Sequence, residues 1–176
     1  GKVAWETNVS DQPAVRITAA PLAVKDKVLI GAAGSGGGVR DWLAALDGAT
    51  GKLIWRKYSV PAPGEPGSET WKDKNNAWQT GGGAMWVTGT YDPDSNQTIW
   101  GTGNPVPMFD ATFRPGDNLY TNSAVSWDPD TGKINWQPCV SNPEVVEICA
   151  SRIIRAFDAD PNRICHALAV NDVPTA

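Results

Sequence analysis

Two stretches of the chain, ALDGATGKLIW from Ala45 to Trp55 and SWDPDTGKINW from Ser126 to Trp136, align without a gap, and GKVAW at residues 1–5 ends in the same way. The shared frame is Ala or Ser, one residue, Asp, two residues, Thr-Gly-Lys, two residues and Trp. It reads as a β-hairpin. A strand ends at the Asp, whose carboxylate accepts turn amides, Gly supplies a positive φ, and the returning strand carries Trp into a core. A looser copy, YDPDSNQTIW at 91–100, keeps the order Asp, turn, strand, Trp without Thr-Gly-Lys. Trp5, Trp55, Trp100 and Trp136 lie 50, 45 and 36 residues apart. Spacing of that size with a hairpin in each unit is the sequence mark of a β-propeller or related array, whose units bury their faces only against neighbours. The expected fold class is therefore all-β, a partial β-propeller of three to four blades, and the chain reads as starting inside a repeat.

This pattern stops near residue 137. Every Gly and Trp precedes that point, while Cys139, Cys149, Cys165 and the single His166 follow it. We therefore expect two regions, propeller blades over 1–137 and a divergent tail over 138–176. Within the tail, Asn142 as cap, Pro143 in the first turn and apolar residues at 145, 148, 149, 153 and 156 predict an amphipathic helix. In the first region DKVLIGAA (26–33), AMWVTGTY (84–91) and NQTIWGTG (96–103) read as strands, and the Pro- and Gly-rich 59–78 as a long surface excursion.

Composition excludes several function classes. Fifteen Lys and Arg against 19 Asp and Glu give a net charge of −4 without a basic run, which argues against nucleic-acid binding. No apolar stretch reaches the roughly 18 residues of a membrane span. The glycine cluster 31–38 lacks the Lys-Ser/Thr of a P-loop and the helix and acidic residue of a dinucleotide fingerprint. Cysteines paired as Cys-x2-Cys for zinc are absent.

As far as Gln137 the chain resembles the pyrroloquinoline quinone-dependent alcohol dehydrogenases, the methanol/ethanol dehydrogenase-like quinoproteins. The resemblance rests on the Trp repeat, on GGGAMW (81–86) and on GTGNPVPMFDATFRPGDNLYT (101–121). It implies an eight-bladed propeller, of which this chain is a piece, and oxidation of primary alcohols to aldehydes. It also implies pyrroloquinoline quinone with Ca²⁺ or a lanthanide as cofactors, a cytochrome c acceptor and a periplasmic location. Trp86 matches the tryptophan that stacks on the quinone. Asn104 matches a metal-binding asparagine, and Thr18 a cofactor-contacting threonine. Gly34 and Ser35 match the backbone turn beside the quinone carboxylates. Ala33 and Ala84 stand at cofactor-contacting positions where serine and threonine are common.

Other departures concern charge. The family's metal-ligand glutamate falls at Gly36, so the ion loses a carboxylate here. The segment carrying the catalytic aspartate has no counterpart, and the context of Asp158 and Asp160 does not match it. No catalytic residue is assigned, the chain alone is expected to be inactive, and the missing blades leave sheet edges prone to aggregation. The disulfide that sandwiches the cofactor is expected upstream of Gly1. Trp55 and Trp136 are read as blade-to-blade locks, and Arg114 with Asp117 as a loop-fixing pair. The alternative is a non-catalytic propeller that binds proteins. Such a scaffold needs neither Gly-Thr-Gly-Asn-Pro nor the triple glycine leading to Trp86, although Gly36 in place of glutamate speaks for it.

Overall fold

The computed structural model describes residues 1–136 and the helical positions Val146, Glu147, Ala150, Ser151, Ile154, Arg155 and Asp158. The helix expected in the tail agrees with these positions, but its apolar stripe, the cysteines, His166, Asp160 and the side chain of Trp136 lie outside the described residues.

Among the described residues eight strands form two four-stranded antiparallel sheets. The first holds β1 (Leu22–Val24), β2 (Lys27–Gly31), β3 (Trp42–Asp47) and β4 (Leu53–Tyr58), and the second β5 (Thr90–Asp92), β6 (Gln97–Gly101), β7 (Ala124–Trp127) and β8 (Ile134–Trp136). Each sheet is one blade, with its strands in chain order. Two blades are thus described, fewer than the Trp spacing implied. The reason is that 91–100 is the first hairpin of the second blade: β6 pairs with β7, so Trp100 and Trp136 share a sheet.

The two full repeats fold alike. Asp47 Oδ1 accepts the amides of Ala49 and Thr50 at 3.1 and 2.7 Å, and Asp128 Oδ1 those of Asp130 and Thr131 at 2.8 and 3.0 Å. Gly51 and Gly132 follow with φ of 71° and 67°, the left-handed region that glycine enters at no steric cost. Both hairpins carry a register shift at the same repeat position, Ala45/Leu46 and Ser126/Trp127.

The repeat tryptophan docks on the next repeat's glycine. A Cβ built on Gly132 would lie 2.8 Å from the Trp55 ring, and one on Gly51 would lie 2.4 Å from the Trp5 ring. Each indole N–H donates to the residue after the turn aspartate, Trp55 to Pro129 O at 3.0 Å and Trp5 to Gly48 O at 2.9 Å. Trp55 therefore locks the first blade to the second.

Strand β3 is buried on both faces, which is why WLAAL is apolar without alternation. Its residues still divide by the two-residue period. Leu43 and Ala45 join Leu29, Met85, Trp100, Val125 and Trp127 in the core between the sheets, while Trp42, Ala44 and Leu46 face Trp5, Val9 and Val15.

An ionic cluster closes one side of the blade interface. Asp130 takes Lys27 Nζ at 2.9 Å, Lys25 Nζ at 3.2 Å and Asn96 Nδ2 at 3.0 Å, so three turns from both blades meet on one carboxylate. Hydrogen bonds from Lys27 first, then Asn96 and Lys25, hold its carboxyl well below the usual carboxylate range. A depressed carboxylate stabilises the fold in full above its unfolded value near pH 4, and that contribution is lost only as pH falls on through its lower folded value. The cluster is solvent-exposed, so its worth stays within about 1 kcal/mol. Asp130→Asn should cost that amount in urea unfolding at pH 7, and the cost should shrink only as pH falls well below 4 toward the depressed folded value; no measurable cost at pH 7 would mean that the ion pairs hold nothing.

Two expectations are corrected. Residues 84–89 are not strand, which begins only at Thr90. The segment instead shares its hydrogen bonds between blades: Met85 N–H donates to Ala32 O at 2.9 Å, while Ala84 O accepts Gly103 N–H at 2.7 Å. Residues 59–78 are not merely a surface excursion, because Val60, Trp71 and Ala77 form a buried cluster there.

Candidate functional site

Three chain segments meet between the blades. The link 81–86 includes Gly82 and Gly83, whose φ values of 78° and 75° let the backbone turn sharply. It bridges Arg40 on one side and Pro105 on the other through Gly82. Around it lies a cleft of about 430 Å³. The loop after β2 contributes Ala33, Ser35 and Gly36, the link contributes Ala84 and Trp86, and the excursion after β6 contributes Gly103, Asn104, Val106 and Met108.

Five of the seven residues singled out from the sequence therefore line one cavity: Ala33, Ser35, Ala84, Trp86 and Asn104. Trp86 leaves 44 % of its surface exposed although its neighbours Ala84 and Met85 are buried. A large exposed indole on the wall of a cleft lined also by small residues is suited to a flat aromatic ligand. Asn104 Nδ2 donates to Pro105 O at 3.1 Å, and among the described residues its Oδ1 accepts no hydrogen bond.

The other two stand behind the wall. Thr18 Oγ1 donates to Trp86 O at 3.1 Å, so it braces the indole's backbone without lining the cleft. Gly34 does not line the cleft, and its amide donates to Asp41 Oδ1 at 2.7 Å. Its own contribution is space, since a Cβ there would lie 2.6 Å from Val39.

Asp41 escaped sequence reasoning. It is fully buried, and besides Gly34 it accepts the Ser35 hydroxyl at 2.5 Å on Oδ2. Burial pushes its carboxyl up to about 6, against the opposing pull of those hydrogen bonds. The signal was an acidic residue abutting the apolar run WLAAL, a burial conflict that demands local partners.

Arg114 fixes the excursion, but not through Asp117. Its guanidinium donates to Asn118 Oδ1 at 2.8 Å, Pro107 O at 2.8 Å and Met108 O at 2.9 Å. That grip holds Met108 at the cleft.

The residues fit a planar quinone in size and lining, and a hard cation in kind only. Asn104 Oδ1 is an oxygen of the sort such ions take, yet they gather about six to eight. Among the described residues no carboxylate lines the cleft. Among the described residues no three His, Cys, Asp or Glu side chains stand close enough to hold a metal. Nor is any described helix long and apolar enough to cross a membrane.

Over residues 1–141 the chain matches the PQQ family described as glucose/ethanol/alcohol dehydrogenase, β-propeller domain. It is 40 % identical over 183 residues to the quinohemoprotein alcohol dehydrogenase ADH IIB of Pseudomonas putida, covering 93 % of this chain and 26 % of that protein. It is 38 % identical over 150 residues to methanol dehydrogenase [cytochrome c] subunit 1 of Methylorubrum extorquens, covering 76 % of this chain and 24 % of that protein. A europium-containing methanol dehydrogenase superimposes with a TM-score of 0.62 at 36 % identity, over 69 % of this chain and 24 % of the other. The chain thus spans about a quarter of the length of these relatives. The match to ADH IIB runs past Gln137, so similarity to that relative does not stop where the Trp repeats do.

Proposed function

The chain belongs to the PQQ glucose/ethanol/alcohol dehydrogenase β-propeller family, and on that premise we propose that its inter-blade cleft is a cofactor half-site of a quinoprotein that oxidises primary alcohols to aldehydes. The observation that carries this reading is the convergence of Ala33, Ser35, Ala84, Trp86 and Asn104 on one cavity from three separate segments. A protein-binding scaffold would have no need of such a cavity.

The residues divide the work. Trp86 offers its exposed face to the ring plane, and Ala33, Ala84 and Gly103 are small enough to let a fused ring system approach the backbone. Val106 and Met108 add apolar surface to the wall of the cleft. Asn104 Oδ1 accepts whatever donor or cation lies beside the ring. When bound, the quinone supplies the redox chemistry, taking up the electrons of the alcohol, and the protein supplies orientation and electrostatics. The proton acceptor is not among the lining residues, since none of them is a carboxylate or histidine. Regions 1–137 as blades and 138–176 as a separate tail, a periplasmic location and delivery of electrons to a cytochrome c belong to the same proposal. The last is supported by the name of the Methylorubrum relative.

Titrating the chain with pyrroloquinoline quinone, followed by tryptophan fluorescence, tests the reading. Saturable quenching is expected, and Trp86→Ala should weaken binding tenfold or more, the loss of a favourable ring contact plus its buried area. A folded parent that shows no quenching would sink the half-site and leave the binding scaffold as the better account.

A further inference from the structure

A second cleft, of about 520 Å³, opens between the last strands of the two blades, with Lys57 and Tyr58 of β4 on its wall and Lys133 and Ile134 from the turn into β8. Its charge is one-sided, although the chain as a whole carries −4. Arg40, Arg56, Lys57 and Lys133 line it against a single carboxylate, Glu65. That carboxylate is already spent, because Glu65 Oε2 takes Arg40 Nη2 at 3.2 Å and the Ala62 amide at 2.6 Å. The arginines are committed as well. Arg40 Nε donates to Val60 O at 2.7 Å with its guanidinium 4.2 Å from the Tyr58 ring centre, and Arg56 donates to Val9 O with its guanidinium 4.4 Å from the Trp42 ring centre. The lysines differ. Both are exposed, and among the described residues neither has a carboxylate within ion-pair distance.

The repeat shows that the fold does not require this pair of charges. Two residues after Trp5 stands Thr7, whose hydroxyl donates to Gly51 O at 2.7 Å and closes the first repeat junction. Two residues after Trp55 the same place holds Lys57, and a Cβ on Gly132 would lie 2.9 Å from its Cγ. Lys133 follows Gly132 as Lys52 follows Gly51. At the second junction, therefore, a neutral hydrogen-bonded threonine has given way to a second lysine beside the first. Like charges brought together weaken such a junction unless an anion neutralises them. Trp127 adds an unmet donor: it lines the same cleft, is 1 % exposed, and its buried indole N–H has no acceptor among the described residues.

We propose that this cleft binds a small organic anion, an aromatic carboxylate or phosphate whose charged group is neutralised by Lys57 and Lys133 and whose ring packs beside Tyr58 and Tyr120. Small-molecule sites span about 300–1,000 Å³ and combine apolar and aromatic walls with a few charged groups, and this cleft has both. A bare anion would leave the tyrosines and Ile134 unused, and a neutral ring would leave the lysines unneutralised. The cleft shares no lining residue with the one around Trp86, so the inference is independent of the quinone reading.

The probes are phenyl phosphate and benzoate, titrated calorimetrically into the full chain at neutral pH and low salt, the tighter of the two identifying the charged group. Saturable binding is expected. It should weaken about tenfold or more in the double variant Lys57→Thr with Lys133→Gln, and stay near the parent's value in Lys57→Arg with Lys133→Arg. Both positions are exposed, so these variants should fold, which circular dichroism checks. Trp86→Ala should bind the probe like the parent. Phenol and inorganic phosphate, each carrying half of the ligand's chemistry, should bind about tenfold or more weakly than phenyl phosphate. No saturable binding of either probe, parent-like affinity in the folded Lys57→Thr and Lys133→Gln double variant, or loss of binding in Trp86→Ala overturns the inference. Inorganic phosphate that binds as tightly as phenyl phosphate overturns its aromatic part.

Discussion

Gly132→Val is expected to destabilise the chain by about 2–5 kcal/mol, combining the strain of a left-handed non-glycine residue, about 1–2, with overpacking of about 1–3. Both causes are present at this site. The φ of Gly132 is 67°, and an added Cβ would meet the Trp55 ring at 2.8 Å and the Lys57 side chain at 2.9 Å. Lysine can move, but the indole is pinned by its hydrogen bond to Pro129 O. Gly64→Val isolates the first cause, since φ there is 88° and nothing lies within 4 Å. It should cost only about 1–2 kcal/mol. Urea unfolding followed by far-ultraviolet circular dichroism and tryptophan fluorescence compares them. Equal costs would mean that the docking of Trp55 on the next repeat contributes nothing to the blade interface. Against a typical total stability of about 5–15 kcal/mol, the larger loss can leave the protein substantially unfolded.

What the sequence disclosed follows from which interactions are local. The hairpins were legible because Asp47, Thr50 and Gly51, like Asp128, Thr131 and Gly132, make their turns within five residues. The cleft residues were legible through family resemblance to long unusual strings, not through any periodicity. The blade count was not, because whether 91–100 forms a blade or half of one depends on the pairing of β6 with β7 across more than twenty intervening residues. The strand expected at 84–89 failed for a related reason. Its alternation is real, but Met85 N–H and Ala84 O bond to different blades, and no local rule encodes that division. Asp41 stayed hidden because its two partners at 34 and 35 are reached only once the loop folds back. The partner of Arg114 was missed by one position, Asn118 taking the place expected for Asp117. In each case the residue type was informative and the partner was not.

The close approach of two backbones at Gly31 ties the fold to the site, and here a single methyl group should disturb both. Gly31 ends β2, and a Cβ on it would stand 2.2 Å from Met85 O and 2.7 Å from Met85 Cβ. A backbone carbonyl cannot rotate away as a side-chain tip can, so the segment carrying it must shift, by on the order of 1 Å to reach van der Waals contact. Met85 is fully buried against Trp100 and Trp127, which resist the shift. Gly31→Ala should therefore cost about 1–3 kcal/mol or more. Because Ala84 and Trp86 flank Met85 and line the cleft, the displacement also moves the wall on which the quinone would stack. Quinone quenching should weaken by tenfold or more in protein that is still folded. Gly36→Ala is the matched control on the same cleft: its Cβ meets nothing, and both stability and quenching should stay near the parent's values. Parent-like quenching in Gly31→Ala would mean that contact with β2 does not set the position of Trp86. Loss of quenching with little loss of stability would mean that the wall moves more easily than the core behind it, as expected if the link between the blades yields before either sheet does.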